Sequence, residues 1–77
     1  MQELLEFLVE QITGKKMPIE KTDTDGLEVY TIKPPKDLMG ILIGKGGRTI
    51  RAIRALARTR AIVDQKSISV QLEEESA

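Results

Sequence analysis

A glycine-rich segment, Gly44-Lys45-Gly46-Gly47, lies between two stretches with helical hydrophobic spacing and is the feature that most constrains the fold. Glycine adopts positive φ angles at no steric cost, so the segment predicts a sharp turn between two helices. The missing side chains also allow another backbone to approach the main chain closely. A phosphate-binding turn and a purely structural turn are both consistent with this local pattern.

The chain has 77 residues, enough for one small domain with a thin hydrophobic core. Hydrophobic residues form 40% of the sequence and charged residues 31%, which is typical of a folded globular protein. There is no cysteine, so packing has to stabilise the core without disulfides or thiolate metal sites. We therefore expect one domain over residues 1–77, in the cytoplasm, without a signal peptide or a membrane span.

The amino-terminal residues predict a helix followed by a β-hairpin. Apolar residues recur at helical spacing at Leu4, Leu5, Leu8 and Ile12, and Gly14 ends the helix. Residues 15–22 predict a short strand, and Pro18 places it at a sheet edge because proline cannot donate a ladder hydrogen bond. The turn signal Asp23-Thr24-Asp25-Gly26 precedes a second predicted strand, residues 27–33.

Two helices are predicted around the glycine segment. The first extends from about Pro35 to Ile43, because proline is tolerated at the first helical position, although the sequence leaves its start open. The second extends from Arg48 to about Val63. Its core side is predicted to consist of Ile50, Ile53, Leu56 and Ala57.

The carboxyl-terminal residues predict a last strand and a tail. Ile68, Val70 and Leu72 alternate with polar residues, as in a strand with one buried face. The acidic residues 73–77 are expected to fray. The complete pattern is an α+β fold in the order α-β-β-α-α-β, with a three-stranded sheet packed on helices.

The zero net charge conceals a segregation of charge along the chain. Residues 1–37 carry a net charge of −3, residues 38–63 carry +6 without any acid, and residues 64–77 carry −3. At about 100° per residue, four arginines share roughly a third of the second helix's circumference: Arg48, Arg51, Arg54 and Arg58. Such a basic stripe suits a polyanion, although a solvated helix face or a docking surface for an acidic protein would look the same.

Other phosphate-binding motifs and enzymatic chemistry fit poorly. A P-loop requires a preceding strand and a hydroxyl residue after its lysine, where this chain has a helix and Gly46. A dinucleotide fingerprint requires glycine at the position of Thr49. The chain has no histidine or cysteine and only one tyrosine, so we predict no catalytic residue, no metal and no cofactor.

The segment Ile43-Gly44-Lys45-Gly46-Gly47-Arg48, followed by Ile50-Arg51-Ala52-Ile53-Arg54, resembles the signature of KH domains. The order of elements resembles the bacterial type II arrangement over the whole chain. The opening Leu4-Leu5-Glu6-Phe7-Leu8-Val9 and the approach Met39-Gly40-Ile41-Leu42-Ile43-Gly44 resemble the KhpA family of small RNA-binding proteins. The preceding Pro35-Lys36-Asp37-Leu38-Met39-Gly40 is one residue longer and more basic than is typical of that family.

This resemblance implies that the loop holds the backbone of about four nucleotides of single-stranded RNA beside a groove between the helices and the sheet edge. The residues implied in binding are Ile43, Gly44, Lys45, Gly46, Gly47, Arg48 and Arg51. Lys45, Arg48 and Arg51 would contact phosphates and Ile43 would line the groove, while Arg54 and Arg58 would act as longer-range steering charges. The resemblance also implies an RNA-chaperone role, with self-association or pairing with a larger, KhpB-like protein.

Overall fold

The computed structural model describes residues 1–75, which form helices and a three-stranded sheet in the predicted α+β order. The elements are α1 (Gln2–Thr13), β1 (Ile19–Thr24), β2 (Leu27–Ile32), α2 (Lys36–Ile43), α3 (Arg48–Val63) and β3 (Ser67–Leu72). A 3₁₀ turn, Lys45–Gly47, joins α2 to α3. This order confirms the predicted α-β-β-α-α-β arrangement.

The sheet has the strand order β1-β2-β3, with β2 in the centre. Strand β1 is antiparallel to β2, with Ile19 opposite Ile32, and β3 is parallel to β2, with Val70 opposite Tyr30. Because side chains alternate between the faces of a strand, these four residues share one face. All four are buried, and this face forms the sheet side of the core. The predicted edge position of β1 is confirmed.

One hydrophobic core joins this sheet face to the three helices. It consists of Leu5, Val9, Ile19, Tyr30, Ile32, Leu42, Ile50, Ile53, Ala57 and Val70. Complete burial of a large aliphatic side chain stabilises a fold by about 1.5–3 kcal/mol, so each member matters in a core of this size. The core holds α2 and α3 in place and thereby fixes the two ends of the glycine loop.

The prediction of the core face of α3 was wrong at one position. Ile50, Ile53 and Ala57 are buried as predicted, but Leu56 is 52% exposed and Ala61 completes the buried stripe. Successive spacings of three, four and four residues keep this stripe on one side of the helix, whereas Leu56 is rotated onto its flank.

A similar correction applies to α1. Its buried residues are Leu5 and Val9, whereas Leu4 and Leu8 are half-buried. Ile12, in the last turn of the helix, is 37% exposed. The buried pair is one helical turn apart, so the face in contact with the core is narrower than the hydrophobic spacing predicted.

The hairpin is confirmed, but its turn is tighter than predicted. Strand β1 begins after Pro18 and continues to Thr24, leaving only Asp25 and Gly26 in the turn. Both residues have positive φ, 50° and 81°, as a two-residue type I′ turn requires. The aspartate-glycine pair therefore closes the hairpin without splaying the strands.

Two predicted boundaries also change. Helix α2 begins at Lys36, and Pro35 is its extended N-cap residue, not its first helical residue. The acidic tail, predicted to fray, makes two main-chain hydrogen bonds between β3 and Glu75. The Glu73 amide donates to the carbonyl of Ile32 over 3.0 Å, and that of Glu75 donates to the carbonyl of Pro34 over 2.9 Å. The last two residues of the predicted tail lie outside the described residues.

Candidate nucleic-acid interface

The glycine loop is a compact turn held by its own main chain. The Gly44 amide donates to the Gly40 carbonyl over 2.9 Å and ends α2, and the Gly47 amide donates to the Gly44 carbonyl over 3.1 Å. Gly46 and Gly47 have φ values of 64° and 79°. These left-handed conformations reverse the chain so that α3 can begin at Arg48.

Gly44 and Gly46 have different environments within this turn. Gly44 has φ 74° and ψ 172°, a conformation adopted almost only by glycine. A Cβ atom at Gly44 would collide with the Thr49 side chain and lie 2.8 Å from the Thr49 amide nitrogen. A Cβ atom at Gly46 would have no atom within 4 Å. Gly44 is therefore required by the fold, whereas Gly46 faces open space and leaves its main chain accessible.

The loop presents backbone donors to solvent. Within residues 1–75, the amides of Lys45 and Gly46 have no main-chain acceptor. Both residues are exposed, and both precede the amino terminus of α3, where the helix dipole contributes partial positive charge. Unpaired amide groups at a helix start are suited to binding an anion such as phosphate.

Three basic residues lie on the loop and on the first turn of α3 that follows it. Lys45, Arg48 and Arg51 are exposed, and none of them forms an ion pair within the described part of the chain. The guanidinium of Arg51 donates from Nη1 to the Gly46 carbonyl over 2.9 Å. The predicted phosphate-contacting residues thus lie on the loop and the first turn of α3, and Arg51 has an additional contact with the loop main chain.

A groove lies further along the basic stripe of α3, against the outer edge of the sheet. It has a volume of about 520 Å³ and is bordered by Arg54 and Arg58 of α3 and by residues 68–72 of β3. Arg54 donates from Nε to the Val70 carbonyl over 3.0 Å. No residue pattern predicts this contact, because its acceptor is a main-chain carbonyl, which every residue carries. The two predicted steering charges therefore border the groove directly.

Ile43 and the aromatic residues lie outside this groove. Ile43, predicted to line it, is 40% exposed immediately before the loop but does not border this cavity. Tyr30 is buried in the core, and Phe7 is exposed on α1. The chain has no other aromatic residue, so neither the loop nor the groove offers an aromatic stacking platform.

A separate charged cluster surrounds Glu28 on β2. Its carboxylate accepts a hydrogen bond of 2.9 Å from the Tyr30 hydroxyl and lies 3.6 Å from Lys21 Nζ and 3.7 Å from Lys66 Nζ. The tyrosine hydrogen bond, followed by the two lysines, lowers the pKa of Glu28. Burial, followed by the same hydrogen bond, raises the pKa of Tyr30 to about 12. This cluster stabilises the end of the sheet where β3 begins.

The glycine loop between α2 and α3 and the fold around it are shared with a known protein family. The family described as "KhpA/KhpB, KH domain" matches residues 2–73. The chain belongs to this KhpA/KhpB family. Its match includes the sheet, the helices and the glycine loop, so the predicted family resemblance is confirmed.

Curated relatives of this KhpA/KhpB chain cover nearly its whole length. RNA-binding protein KhpA of Chlamydia trachomatis is 32% identical, over 97% of this chain and 99% of the relative. The proteins of the same name from Clostridium perfringens and Thermotoga maritima are 30% and 31% identical, each over 94% of this chain and over 99% and 97% of the relative. No solved structure gave a significant match.

Three further observations concern catalysis, metal binding and membrane insertion. None of these three relatives is named as an enzyme. Within residues 1–75, acidic side chains do not gather into a group able to hold a metal ion. In the same residues, no helix has the length and hydropathy needed to cross a membrane.

Proposed function

We propose that this protein binds single-stranded RNA by holding the backbone of about four nucleotides on the Gly44–Gly47 loop. The observation that carries the proposal is the pair of amides at Lys45 and Gly46, which have no acceptor within residues 1–75 and lie beside basic residues that form no ion pair in the same range. The family match and the relatives named as RNA-binding proteins support it. We also propose that residues 1–77 form one KH domain.

Each part of the site has a distinct task in this proposal. The amides of Lys45 and Gly46 donate to phosphate oxygens, and Gly44 and Gly47 shape the turn that exposes them. Lys45 and Arg48 add positive charge close to the same phosphates. Arg51 contributes charge and also fixes the loop through the Gly46 carbonyl. Ile43 supplies an exposed apolar contact beside the loop.

The proposal predicts a limited dependence on salt. Neutralising about three phosphates on a single strand gives a slope of log K against log salt of about −2, at roughly −0.7 for each contact. Binding by one module should accordingly be weak and should fall only moderately between low and physiological salt. A much steeper slope would indicate contacts beyond the three basic residues of the loop region.

The test is fluorescence anisotropy with a labelled single-stranded RNA of mixed sequence, at two salt concentrations. The loop variant combines Lys45→Asp with Gly46→Asp, and Gly46 has space for a side chain. A matched control combines Gly14→Asp with Lys15→Asp at the end of α1. Gly14 also has positive φ and open surroundings, so the control makes the same charge change at a similar backbone position.

Circular dichroism establishes that both variants are folded. We expect wild type and the control to bind RNA, and the loop variant to lose at least about tenfold in affinity, equivalent to one or two charge-assisted hydrogen bonds. Equal binding by the loop variant and the control would contradict the proposal. In that case the loop would serve only as a turn, and the basic stripe of α3 would be tested with an acidic protein partner.

We further propose that the module acts in the cytoplasm with a second KH module, either another copy or a larger KhpB-like protein. The family description, which joins KhpA with KhpB, supports this pairing. Exposed apolar side chains on α3 also support it, since Leu56, Ile62 and Val63 are 52%, 70% and 74% exposed. Analytical ultracentrifugation of wild type and Val63→Glu would detect the assembly and its loss.

An RNA-chaperone role is the broader activity that we propose. Two weak modules held together gain affinity because the second contact becomes intramolecular. Strand-annealing assays with complementary RNA strands test this role. Acceleration by wild type and not by the Lys45→Asp, Gly46→Asp variant would support it, whereas equal rates with and without protein would exclude it.

A further inference from the structure

The outer edge of β3 carries main-chain groups that no strand covers, because β3 is the last strand of the sheet. The Glu73 amide, just beyond β3, points toward β2, where it bonds the Ile32 carbonyl. Main-chain groups alternate in direction along a strand, so those of Ile68, Val70 and Leu72 point away from β2. The groove between α3 and β3 is thus bordered by an open ladder of amides and carbonyls.

Arg54 changes the chemistry of this ladder at its centre. Its Nε–H donates a hydrogen bond of 3.0 Å to the Val70 carbonyl. This carbonyl is the middle one of the three that point away from β2, at Ile68, Val70 and Leu72. A guanidinium has five N–H donors and no acceptor. The Nη1 and Nη2 groups of Arg54 make no hydrogen bond within residues 1–75. Arg58 borders the same groove and forms no ion pair within those residues. The centre of the groove therefore presents donors where a bare strand edge would present a donor and an acceptor.

The edge of a nucleobase in this groove would face the N–H donors of Arg54. Guanine presents two acceptors, N7 and O6, in the spacing that an arginine fork matches, whereas adenine presents the N7 acceptor beside the N6 amino donor. The amino group of adenine would face the guanidinium, donor against donor, and the Arg54 bond already uses one of the two lone pairs of the Val70 carbonyl. A polar group that is desolvated without a hydrogen-bond partner costs more free energy than a typical hydrogen bond contributes.

The geometry points to Arg54 as a specificity-determining residue that makes the groove prefer guanine to adenine, by donating to base acceptors and by using one lone pair of the Val70 carbonyl. This inference rests on the proposed RNA-binding function and adds a base preference to it. Gln71 also borders the groove and carries both a donor and an acceptor, but by alternation its side chain lies on the opposite face of the sheet. Arg58 borders the groove as well, but Arg54 is the arginine whose guanidinium is bonded to β3, so we assign the preference to Arg54.

The test compares two labelled RNA strands of about ten nucleotides, longer than the four or so that one KH loop holds. One strand is all adenosine, and the other has two central guanosines. Arg54→Ala removes the guanidinium and frees the Val70 carbonyl. Arg58→Ala is the matched control, since it removes the same charge from the same groove and Arg58 makes no hydrogen bond to β3 within residues 1–75. Circular dichroism establishes that each variant is folded.

We expect wild type to bind the guanosine strand at least about tenfold more tightly than the adenosine strand. This ratio is what a bidentate arginine-guanine contact gives against a wrong base. Arg54→Ala should reduce this ratio to below about threefold, whereas Arg58→Ala should weaken both strands equally and keep the ratio. Equal binding of the two strands by wild type, or an unchanged ratio in Arg54→Ala, overturns the base preference alone. Failure of wild type to bind either strand overturns the proposed function together with it.

Discussion

Arg51 and Gly46 are joined by a 2.9 Å hydrogen bond from the guanidinium Nη1 to the main-chain carbonyl, across the turn between the glycine loop and α3. The bond connects a side chain on a packed helix to the most open residue of the loop. Because the other hydrogen bonds of the loop within residues 1–75 join main-chain groups, this bond is the one by which a side chain restrains the loop main chain next to the Lys45 and Gly46 amides. Arg51 is thus placed both to contact phosphate and to prepare the loop for it.

The effect of Arg51 on the loop can be separated from its charge. Arg51→Lys keeps the charge but loses the planar fork that reaches Gly46, so we expect lower NMR order parameters for the Lys45 and Gly46 amides. RNA affinity should fall about fivefold, which corresponds to one net hydrogen bond of about 1 kcal/mol. Arg48→Lys is the matched control, since Arg48 makes no side-chain hydrogen bond within the described residues. Equal effects of the two variants would show that Arg51 acts only through its charge.

The two loop glycines should respond differently to alanine. Gly44→Ala places a methyl group against Thr49 in a backbone conformation that excludes side chains, so the free energy of unfolding should fall by about 3 kcal/mol. Gly46→Ala meets no atom and should lose only about 1 kcal/mol from its left-handed conformation. Urea unfolding of both variants measures these values. If Gly44→Ala were as stable as Gly46→Ala, the turn would be able to shift enough to hold a methyl group beside Thr49.

The packing of α3 predicts a contrast between two of its aliphatic residues. Ile53 is 1% exposed, and Ile53→Ala should lower the free energy of unfolding by about 3 kcal/mol, through lost transfer energy and a residual cavity. Leu56→Ala should lower it by less than about 1 kcal/mol, because its side chain is half in solvent. Urea denaturation gives both values. A large loss in Leu56→Ala would show that a contact outside this core covers Leu56.

Tyr30 predicts a loss of stability at high pH. Its folded pKa of about 12 lies above its ordinary value of 10.0, so the neutral phenol stabilises the fold fully below pH 10. This contribution is lost as the pH rises through about 12, because the buried phenolate would lie beside the Glu28 carboxylate. Tyrosinate absorbance measures the titration directly, since the chain has one tyrosine and no tryptophan.

The control for this titration is Tyr30→Phe, which should remove the Tyr30-dependent part of the alkaline stability loss. A tyrosinate midpoint near 10 in the folded wild type would contradict the burial of the hydroxyl group. The same substitution also removes the largest cause of the lowered Glu28 pKa. The Glu28 pKa should therefore rise in the variant, which carboxyl chemical shifts in an NMR titration would detect.

The order of elements and the glycine loop could be predicted because they depend on local chemistry. Gly44, Gly46 and Gly47 adopt the positive φ angles that the pattern indicated, and the Asp25-Gly26 pair makes the predicted hairpin. Hydrophobic alternation identified Ile68, Val70 and Leu72 as one face of β3. These features depend on steric preference and on residue period, and both can be observed in the sequence.

The tertiary structure decided which apolar residues are buried and what the arginines contact. Leu56 and Ile12 have core-like spacing, but burial depends on which elements pack around them, and a single helix pattern does not contain that information. The sequence by itself determined that Arg54 belongs to a basic stripe on α3. Its bond to the Val70 carbonyl arises only because the fold brings α3 against the open edge of β3, sixteen residues further along the chain.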